Sequence, residues 1–260
     1  MASRWTRGAA AGLATLGLIV TGAATAAGAE PGRISLLVTY KCRPENRPAF
    51  RDHLQGPGLG QLGAWKAAGL FTEHLLLFNV DVEQEAWDAL LLLHFESWDQ
   101  YARWKENERT APAGLAPAAL RLTSSVSSSL SDLAWHGARP PADATKKSLF
   151  FVRPYFFQDK TLYRQFFEAY NDPQLKAWLR TGAVTSYRVL MNQNPTGGTW
   201  GVMFVYEYPG WESAHARDDV KEAVGPELRS LPAWELLGET KGAIRTSGRV
   251  TLAERLEERR

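Results

Sequence analysis

Cysteine is nearly missing from this 260-residue sequence, and so is any excess of charge of one sign. The single Cys42 cannot form a disulfide within the chain, so the fold must be held by packing. The 30 basic and 28 acidic residues almost balance, and no cluster of Lys and Arg interleaved with aromatic residues occurs. This composition disfavours nucleic acid as a partner.

Short catalytic signatures are missing as well. The sequence has no phosphate-binding glycine loop followed by Lys, no His-Glu-x-x-His, no paired cysteines and no Gly-x-Ser-x-Gly, so the common hydrolase and nucleotide-binding classes lose support. The histidines are isolated from one another, and their spacing predicts no metal site. They are His53, His74, His94, His136 and His215.

A long apolar run occurs only at the N-terminus. Arg4 and Arg7 precede the small and apolar residues 9–27, and Ala27-Gly28-Ala29 has the small residues of an export cleavage site. No later run is long and apolar enough to cross a membrane. We predict a signal peptide over residues 1–29 and a periplasmic or secreted mature protein without a membrane anchor.

The rest of the chain contains an internal repeat. The pattern L-x-A-W-x-x-x-G-x-x-T occurs at residues 62–72 and again at 175–185, an offset of 113 residues between Trp65 and Trp178. The same offset aligns further tryptophans without a gap, which would rarely happen by chance, so we predict a duplication. The aligned pairs are Trp65 and Trp178, Trp87 and Trp200, Trp98 and Trp211, and Gly69 and Gly182.

Each copy shows the same order of local signals. An apolar run predicts a strand, apolar residues at helical spacing predict a helix, and a glycine ends that helix. A hairpin, a short helix and a last strand follow, which is the β-α-β-β-α-β order of a ferredoxin-like α+β unit. The predicted strands are Ile34–Tyr40, Phe71–Asn79, Trp87–Phe95 and Ser127–His136 in the first copy, and Leu149–Tyr155, Val184–Asn192, Thr199–Tyr208 and Glu239–Thr246 in the second.

Several of these strands are apolar on both faces, as in the runs 90–93 and 150–152, so both faces should be buried. We predict that the two antiparallel sheets pack face to face as an intrachain α/β barrel, which makes the chain a monomer with an internal pseudo-dimer and leaves a higher oligomer open. The predicted divisions are a first unit at 30–137, a linker at 138–147, a second unit at 148–250 and a charged C-terminal tail at 251–260, either a solvated helix or a frayed end.

The junctions between strand and helix are Phe95-Glu96-Ser97-Trp98 in the first copy and Trp211-Glu212-Ser213 at the matching place in the second. With the unit order and the fused duplication, they resemble the dimeric α/β-barrel superfamily. Its members include antibiotic-biosynthesis-type monooxygenases, haem-degrading monooxygenases, muconolactone isomerases, polyketide cyclases and two-repeat chlorite dismutases. The resemblance covers nearly the whole mature chain and implies the architecture, because this fold hosts many unrelated functions.

In haem-binding relatives, a histidine on the helix after this junction ligates the iron. Here His215 lies about one turn after Trp211. The later positions, where the relatives have the ligand, hold Asp218, Asp219 and Lys221. We therefore predict no cofactor and keep haem as an alternative.

Polar residues that differ between the copies are the candidates for chemistry. His74 aligns with Tyr187 and His94 with Glu207, so at most one unit, or a composite pocket, should be functional. Each candidate also has an ordinary structural explanation as a hydrogen-bonded or packed residue. The catalytic candidates are His53, His74, His94 and His215, and the candidates for orienting an anionic or phenolic ligand are Arg188, Tyr206 and Tyr208.

Three functions are compatible with these residues. The first is an exported enzyme acting on a small apolar or aromatic molecule, either an oxygenase without a bound metal or an isomerase or cyclase that moves protons. The second is a binding protein for a hydrophobic molecule or haem. The third is a structural or partner-binding protein without an active pocket.

Overall fold

The computed structural model describes residues 33–83, 85–140, 147–195 and 199–257, all of which belong to one compact unit. The predicted signal peptide and the linker residues 141–146 lie outside the described residues. The strands are β1 (Arg33–Cys42), β2 (Glu73–Asn79), β3 (Ala89–Phe95), β4 (Thr123–Ala138), β5 (Leu149–Phe157), β6 (Ser186–Asn192), β7 (Val202–Tyr208), β8 (Arg245–Ser247) and β9 (Thr251–Arg255). The α-helices are α1 (Arg47–His53), α2 (Leu59–Ala67), α3 (Trp98–Asn107), α4 (Pro117–Leu120), α5 (Lys160–Phe166), α6 (Asp172–Thr181), α7 (Trp211–His215), α8 (Arg217–Arg229) and α9 (Trp234–Ile244).

The duplication is visible in the backbone. The hairpin strands β6 and β7 begin and end 113 residues after β2 and β3, which is the offset of the sequence repeat. A π-helical turn joins α1 to α2 at Leu54–Gly58, and another joins α5 to α6 at Phe167–Asn171, again at that offset. Gly69 and Gly182 follow these helices with φ of 72° and 81°, a left-handed conformation that favours glycine.

Eight strands close into an antiparallel barrel. Around the barrel the order is β1-β3-β2-β9-β5-β7-β6-β4, and β4 pairs with β1 to complete the circle. The two units therefore join through the pairs β4–β6 and β2–β9, and their sheets face each other across a shared apolar interior. That interior includes Leu37, Leu77, Leu92, Phe150, Leu190 and Val205. The predicted α+β barrel architecture is confirmed.

Helices cover the outer face of each half of the barrel. In the first unit, Phe50, Leu62 and Trp104 pack on the outward side chains of β1 and β3. In the second unit, Phe166 and Trp178 belong to the equivalent cluster. Side chains alternate along each strand, so one set fills the barrel and the other meets the helices.

The C-terminal part of the chain differs from the prediction. The segment Glu239–Thr246, predicted as the last strand, lies mostly in α9, because Trp234, Leu237 and Ile244 recur at helical spacing and pack on the second unit. The predicted charged tail instead contains β9, which pairs with β2 and β5. Thr251 and Ala253 are buried, and the charged residues beside them hid this alternation in the sequence.

Candidate functional site

A cavity of about 720 Å³ lies in the second unit, between the outer face of the barrel and the helices. One wall comes from β5 and β7, and the others from α6, α8, α9 and β8. This volume is in the range of sites for drug-sized molecules. The aromatic side chains that line it are Phe151, Tyr155, Tyr170, Trp178, Tyr206 and Tyr208.

The strand alternation explains why these rings share one wall. Phe151, Arg153 and Tyr155 are every second residue of β5, and Phe151 pairs with Tyr206 across the sheet. Tyr206 and Tyr208 in turn alternate along β7, on the face opposite to the barrel interior. An aromatic and cationic surface thus faces the helices.

Arg245 occupies the side of the cavity next to β8. Its guanidinium carbon lies 3.9 Å from the centre of the Tyr155 ring. Nη1 of Arg245 donates to the Asn171 side-chain oxygen at 3.2 Å and lies 3.5 Å from the Tyr163 hydroxyl. These contacts fix the guanidinium between an aromatic face and polar groups, where it can meet a ligand oxygen.

The charge of the lining is strongly positive. Five cationic side chains border the cavity, whereas Glu239 is the one carboxylate among the described residues that do so. Asp218 lies beside the cavity and pairs with Lys221 at 2.7 Å. The cationic lining residues are Arg153, Arg217, Lys221, Lys241 and Arg245. Such a lining favours an anionic ligand.

The tyrosines in and beside the cavity are hydrogen-bond donors at neutral pH. Burial raises the pKa of Tyr208 to about 12, although Arg217 and Arg153 act in the opposite direction. Burial also raises the pKa of Tyr206 well above its ordinary value, and the neighbouring Tyr155 adds to this effect. Both hydroxyls therefore stay protonated and can donate to a ligand oxygen.

Four buried side-chain groups of this lining have no hydrogen-bond partner within the described chain. They are Arg153 Nε, Trp178 Nε1, Tyr208 OH and Arg217 Nε. Each of them can donate a hydrogen bond, and none is a pure acceptor. Because buried polar groups are usually paired, these four groups are available to donate to acceptor oxygens of a ligand in the cavity.

The same place in the first unit is filled. Trp104, which the 113-residue offset aligns with Arg217, is fully buried and contacts Trp65 edge-on at 5.4 Å. Tyr40, aligned with Arg153, donates its hydroxyl to the Ala113 carbonyl at 2.6 Å. The first unit therefore packs aromatic rings where the second unit has cations around a cavity.

Of the residues that the sequence singled out, Tyr206 and Tyr208 line this cavity. His94 and Arg188 lie instead on the barrel-facing side of β3 and β6. Each is two residues from a leucine of the barrel interior, Leu92 and Leu190 respectively. His94 Nδ1 is 2.8 Å from the Ser35 hydroxyl, so this histidine has a buried hydrogen-bonded partner.

The remaining candidates lie apart from the cavity. His53, at the end of α1, and His74, on β2, belong to the first unit. The His74 ring contacts Phe71 edge-on at 5.7 Å. His215 is exposed on α7, and its Nδ1 is 2.7 Å from the Trp211 carbonyl oxygen. The structure thus does not assemble the four histidines into one site.

Arg153, Arg217 and Arg245 are among the lining residues that the sequence did not identify as site candidates. They come from β5, α8 and β8, and only the folded chain brings them together. A signal was nevertheless present, because the repeat offset aligns Arg153 with Tyr40 and Arg217 with Trp104. A cation that replaces a core aromatic in a duplicated unit indicates a changed packing role.

The lining does not fit the ligation of haem iron. Its described residues include no histidine, cysteine or methionine, and His215 is not among them. Tyrosine can ligate haem iron as tyrosinate, but burial of Tyr208 favours the neutral phenol. Within the described ranges, no group of three or more His, Cys, Asp or Glu residues is placed to bind a metal. None of the helices described is both long and apolar enough to cross a membrane.

No protein-family model and no curated protein matches this sequence. Solved structures do match the fold. A "putative monooxygenase" from Fusobacterium nucleatum superposes with a TM-score of 0.57 at 9% identity, over 87% of this chain and 94% of that one. An "anthrone oxidase-like protein" superposes with a TM-score of 0.54 at 13% identity, over 88% of this chain and 93% of that one. A "putative monooxygenase" from Lactobacillus acidophilus superposes with a TM-score of 0.53 at 10% identity, over 86% of this chain and 94% of that one. These similarities show that the chain has the dimeric α/β-barrel fold.

Proposed function

We propose that this chain is an exported small-molecule enzyme that binds an aromatic anion in the cavity of the second unit and acts on it without a bound metal or cofactor. The reaction is an oxygenation, or an isomerisation or cyclisation. The observation that carries the proposal is the composition of the cavity lining, which combines six aromatic rings with five cations and one carboxylate. The N-terminal charge and apolar pattern supports export.

The lining suits an electron-rich aromatic ring that has lost a proton. Tyr155, Tyr206 and Trp178 offer ring faces and edges for such a molecule. Arg245 offers a positive charge beside these rings, held in place by Asn171. A neutral aromatic molecule would gain only the ring contacts, whereas an aromatic anion also gains the charge interaction.

All of the proposed reactions share one step, the loss of a proton from the substrate to give a delocalised anion. Arg245 and the protonated tyrosines would stabilise the negative oxygen of that anion, which lowers the pKa of the substrate. Glu239 is the candidate proton acceptor on the cavity wall. In the oxygenase reaction, a ring-flanked methylene group and O₂ give a carbonyl group and water, so carbon is oxidised and O₂ is reduced.

The scarcity of proton acceptors favours a second candidate, a binding protein that does not convert its ligand. Glu239 is exposed, and no other carboxylate among the described residues lines the cavity. A binding protein needs the cations and the rings but no base. Replacement of this carboxylate therefore distinguishes the two functions.

The test uses the mature protein and an anthrone, chosen because one solved structure with this fold is described as anthrone oxidase-like. We expect binding by calorimetry, oxygen uptake at an electrode, and a loss of at least ten-fold in turnover for Glu239→Gln with binding unchanged. Glu235→Gln, on the same helix but outside the lining, is the control and should keep full turnover.

Three results would speak against the proposed enzyme. Binding without oxygen uptake or isomerised product supports the binding protein. No binding of any aromatic anion overturns the site itself. A Soret band in the absorption spectrum of the purified protein would instead assign the chain to haem binding.

A further inference from the structure

The unpartnered donors of the cavity are not spread evenly over its walls. Tyr208 OH, Arg153 Nε and Arg217 Nε belong to the side formed by β5, β7 and the beginning of α8. Tyr208 is only 1% exposed, and its hydroxyl finds no partner within the described chain. Buried donors without a hydrogen-bond partner destabilise a fold, so their grouping on one side of the cavity requires an explanation.

These three groups surround Phe151. The Arg217 guanidinium carbon is 5.9 Å from the centre of the Phe151 ring, and the Tyr208 ring centre is 4.8 Å from it. Arg153 follows Phe151 by two residues on β5 and therefore points to the same face. The two arginines and the phenol thus form a single group of donors around one aromatic side chain.

The charge on this side is only partly compensated by the protein. Arg217 Nε forms an ion pair with an Asp218 carboxylate oxygen at 3.6 Å, and that carboxylate also accepts from Lys221 at 2.7 Å. For Arg153, the ion pairs of the described chain include none.

Arg245 belongs to a different side of the same cavity. It is engaged with Asn171 and lies close over Tyr155, at 3.9 Å. Arg153 lies 5.8 Å from the centre of the same Tyr155 ring, so both cationic groups are near this ring but belong to different parts of the lining. A ligand that spans the ring can therefore meet positive charge at two separate places.

We infer that Arg153, Tyr208 and Arg217 form a carboxylate subsite, and that the substrate is an aromatic carboxylic acid with a second, ionisable oxygen that meets Arg245. Guanidinium groups and a phenol match the flat, two-oxygen acceptor of a carboxylate. This inference rests on the proposed function and specifies its substrate class. The carboxylate does not react; it holds the ring while the other oxygen carries the charge that develops.

Matched ligands test the subsite. The probes are 6-hydroxy-2-naphthoic acid, whose carboxylate and hydroxyl lie at opposite ends of the ring system, and 2-naphthol, which lacks the carboxylate; calorimetry measures their affinities. We expect the acid to bind the wild-type protein at least ten-fold more tightly. Arg153→Gln and Arg217→Gln should remove that preference and leave the affinity for naphthol within two-fold.

Two further variants separate recognition from folding. Tyr208→Phe removes only the hydroxyl and should lower the affinity for the acid alone, with a melting temperature equal to or above that of the wild type. Arg229→Gln removes a cation from the same helix as Arg217 but outside the lining, and it should keep the full preference for the acid.

The outcomes are distinct. If naphthol and the acid bind equally well to the wild-type protein, or lose affinity equally in the arginine variants, the carboxylate subsite is wrong while the aromatic cavity stands. If inorganic phosphate displaces the acid at comparable concentration, the site binds oxyanions in general and the assigned substrate class is wrong. If neither aromatic compound nor an anthrone binds, the proposed function fails as well.

Discussion

Trp104 and Arg217 align at the 113-residue offset of the repeat, yet one is buried in a core and the other borders a cavity. Trp104 packs edge-on against Trp65 and Phe71. Arg217 lies over Phe151 at the cavity wall. Duplication thus produced one unit whose interior is filled and another with room for a ligand, which agrees with a functional site in one unit only.

Trp104 should be essential for the stability of the first unit. It is 0% exposed, and removal of a fully buried tryptophan side chain costs about 3–5 kcal/mol of unfolding free energy. We expect Trp104→Ala to lose that amount in urea denaturation. Trp98→Ala, on the same helix but 56% exposed, is the control and should change stability by less than about 1 kcal/mol. Equal losses in both variants would contradict this packing role.

The last described strand should be required for a closed barrel. Removal of residues 251–260 deletes β9, which pairs with β2 of the first unit and β5 of the second. The exposed strand edges and interior should cause aggregation or dimer formation, visible by size-exclusion chromatography. Removal of residues 258–260 alone is the control. A shortened chain lacking β9 that stayed monomeric and folded cooperatively would show that β9 does not hold the barrel together.

His94 should make stability fall in mildly acidic solution. Burial, with Arg188 as the next contribution, lowers the pKa of His94 to about 4. The unfolded chain then takes up a proton near pH 6.5 while the folded chain does not. The contribution of neutral His94 to the unfolding free energy is therefore intact above pH 6.5 and is lost as the pH falls toward 4. The loss is on the order of 3 kcal/mol for this 2%-exposed group.

Urea denaturation at pH 7.5 and at pH 5 measures this effect. His94→Leu introduces the side chain of its barrel-facing neighbour Leu92 and removes the titrating group. The variant should lose part of the pH dependence. His215→Leu, which replaces an exposed histidine, should keep the wild-type dependence. If the unfolding free energy of wild type and of His94→Leu changed equally between pH 7.5 and pH 5, the pH dependence would not come from His94.

The export signal should be removed after Ala29, because small residues occupy the last and the third-last positions before Glu30. Intact-mass measurement of the protein from the periplasm or the medium checks this. A mass that includes Met1 to Ala29 in that fraction would contradict the processing site, and retention of all protein in the cytoplasm would contradict export.

The sequence revealed the fold more fully than the site. The repeated tryptophans, the glycines at 69 and 182 and the apolar strands predict the duplicated barrel, because period and turn chemistry are local signals. The strand β9 was missed, since Glu254 and Arg255 mask its short alternation. Glu254 forms an ion pair with Arg51 on the outer side of the barrel, a contact over more than two hundred residues that no local pattern shows.

The histidines were reasonable candidates because buried polar groups need partners. His94 Nδ1 pairs with the Ser35 hydroxyl inside the barrel, whereas its Nε2 has no hydrogen-bond partner within the described chain. The cavity residues were harder to identify, because Arg153 and Arg217 look like surface residues in sequence and converge only in the fold. Comparison of each copy with the other, position by position, is the sequence signal that points to them.

The most direct test of the account transplants the first unit's residue into the second. Arg217→Trp should fill the cavity as Trp104 fills the first unit, and binding of 6-hydroxy-2-naphthoic acid should fall at least a hundred-fold by calorimetry, with a melting temperature equal to or above that of the wild type. Arg229→Trp, which adds the same bulk on α8 outside the lining, should bind normally. Wild-type affinity in Arg217→Trp would show that the functional site is not in this cavity.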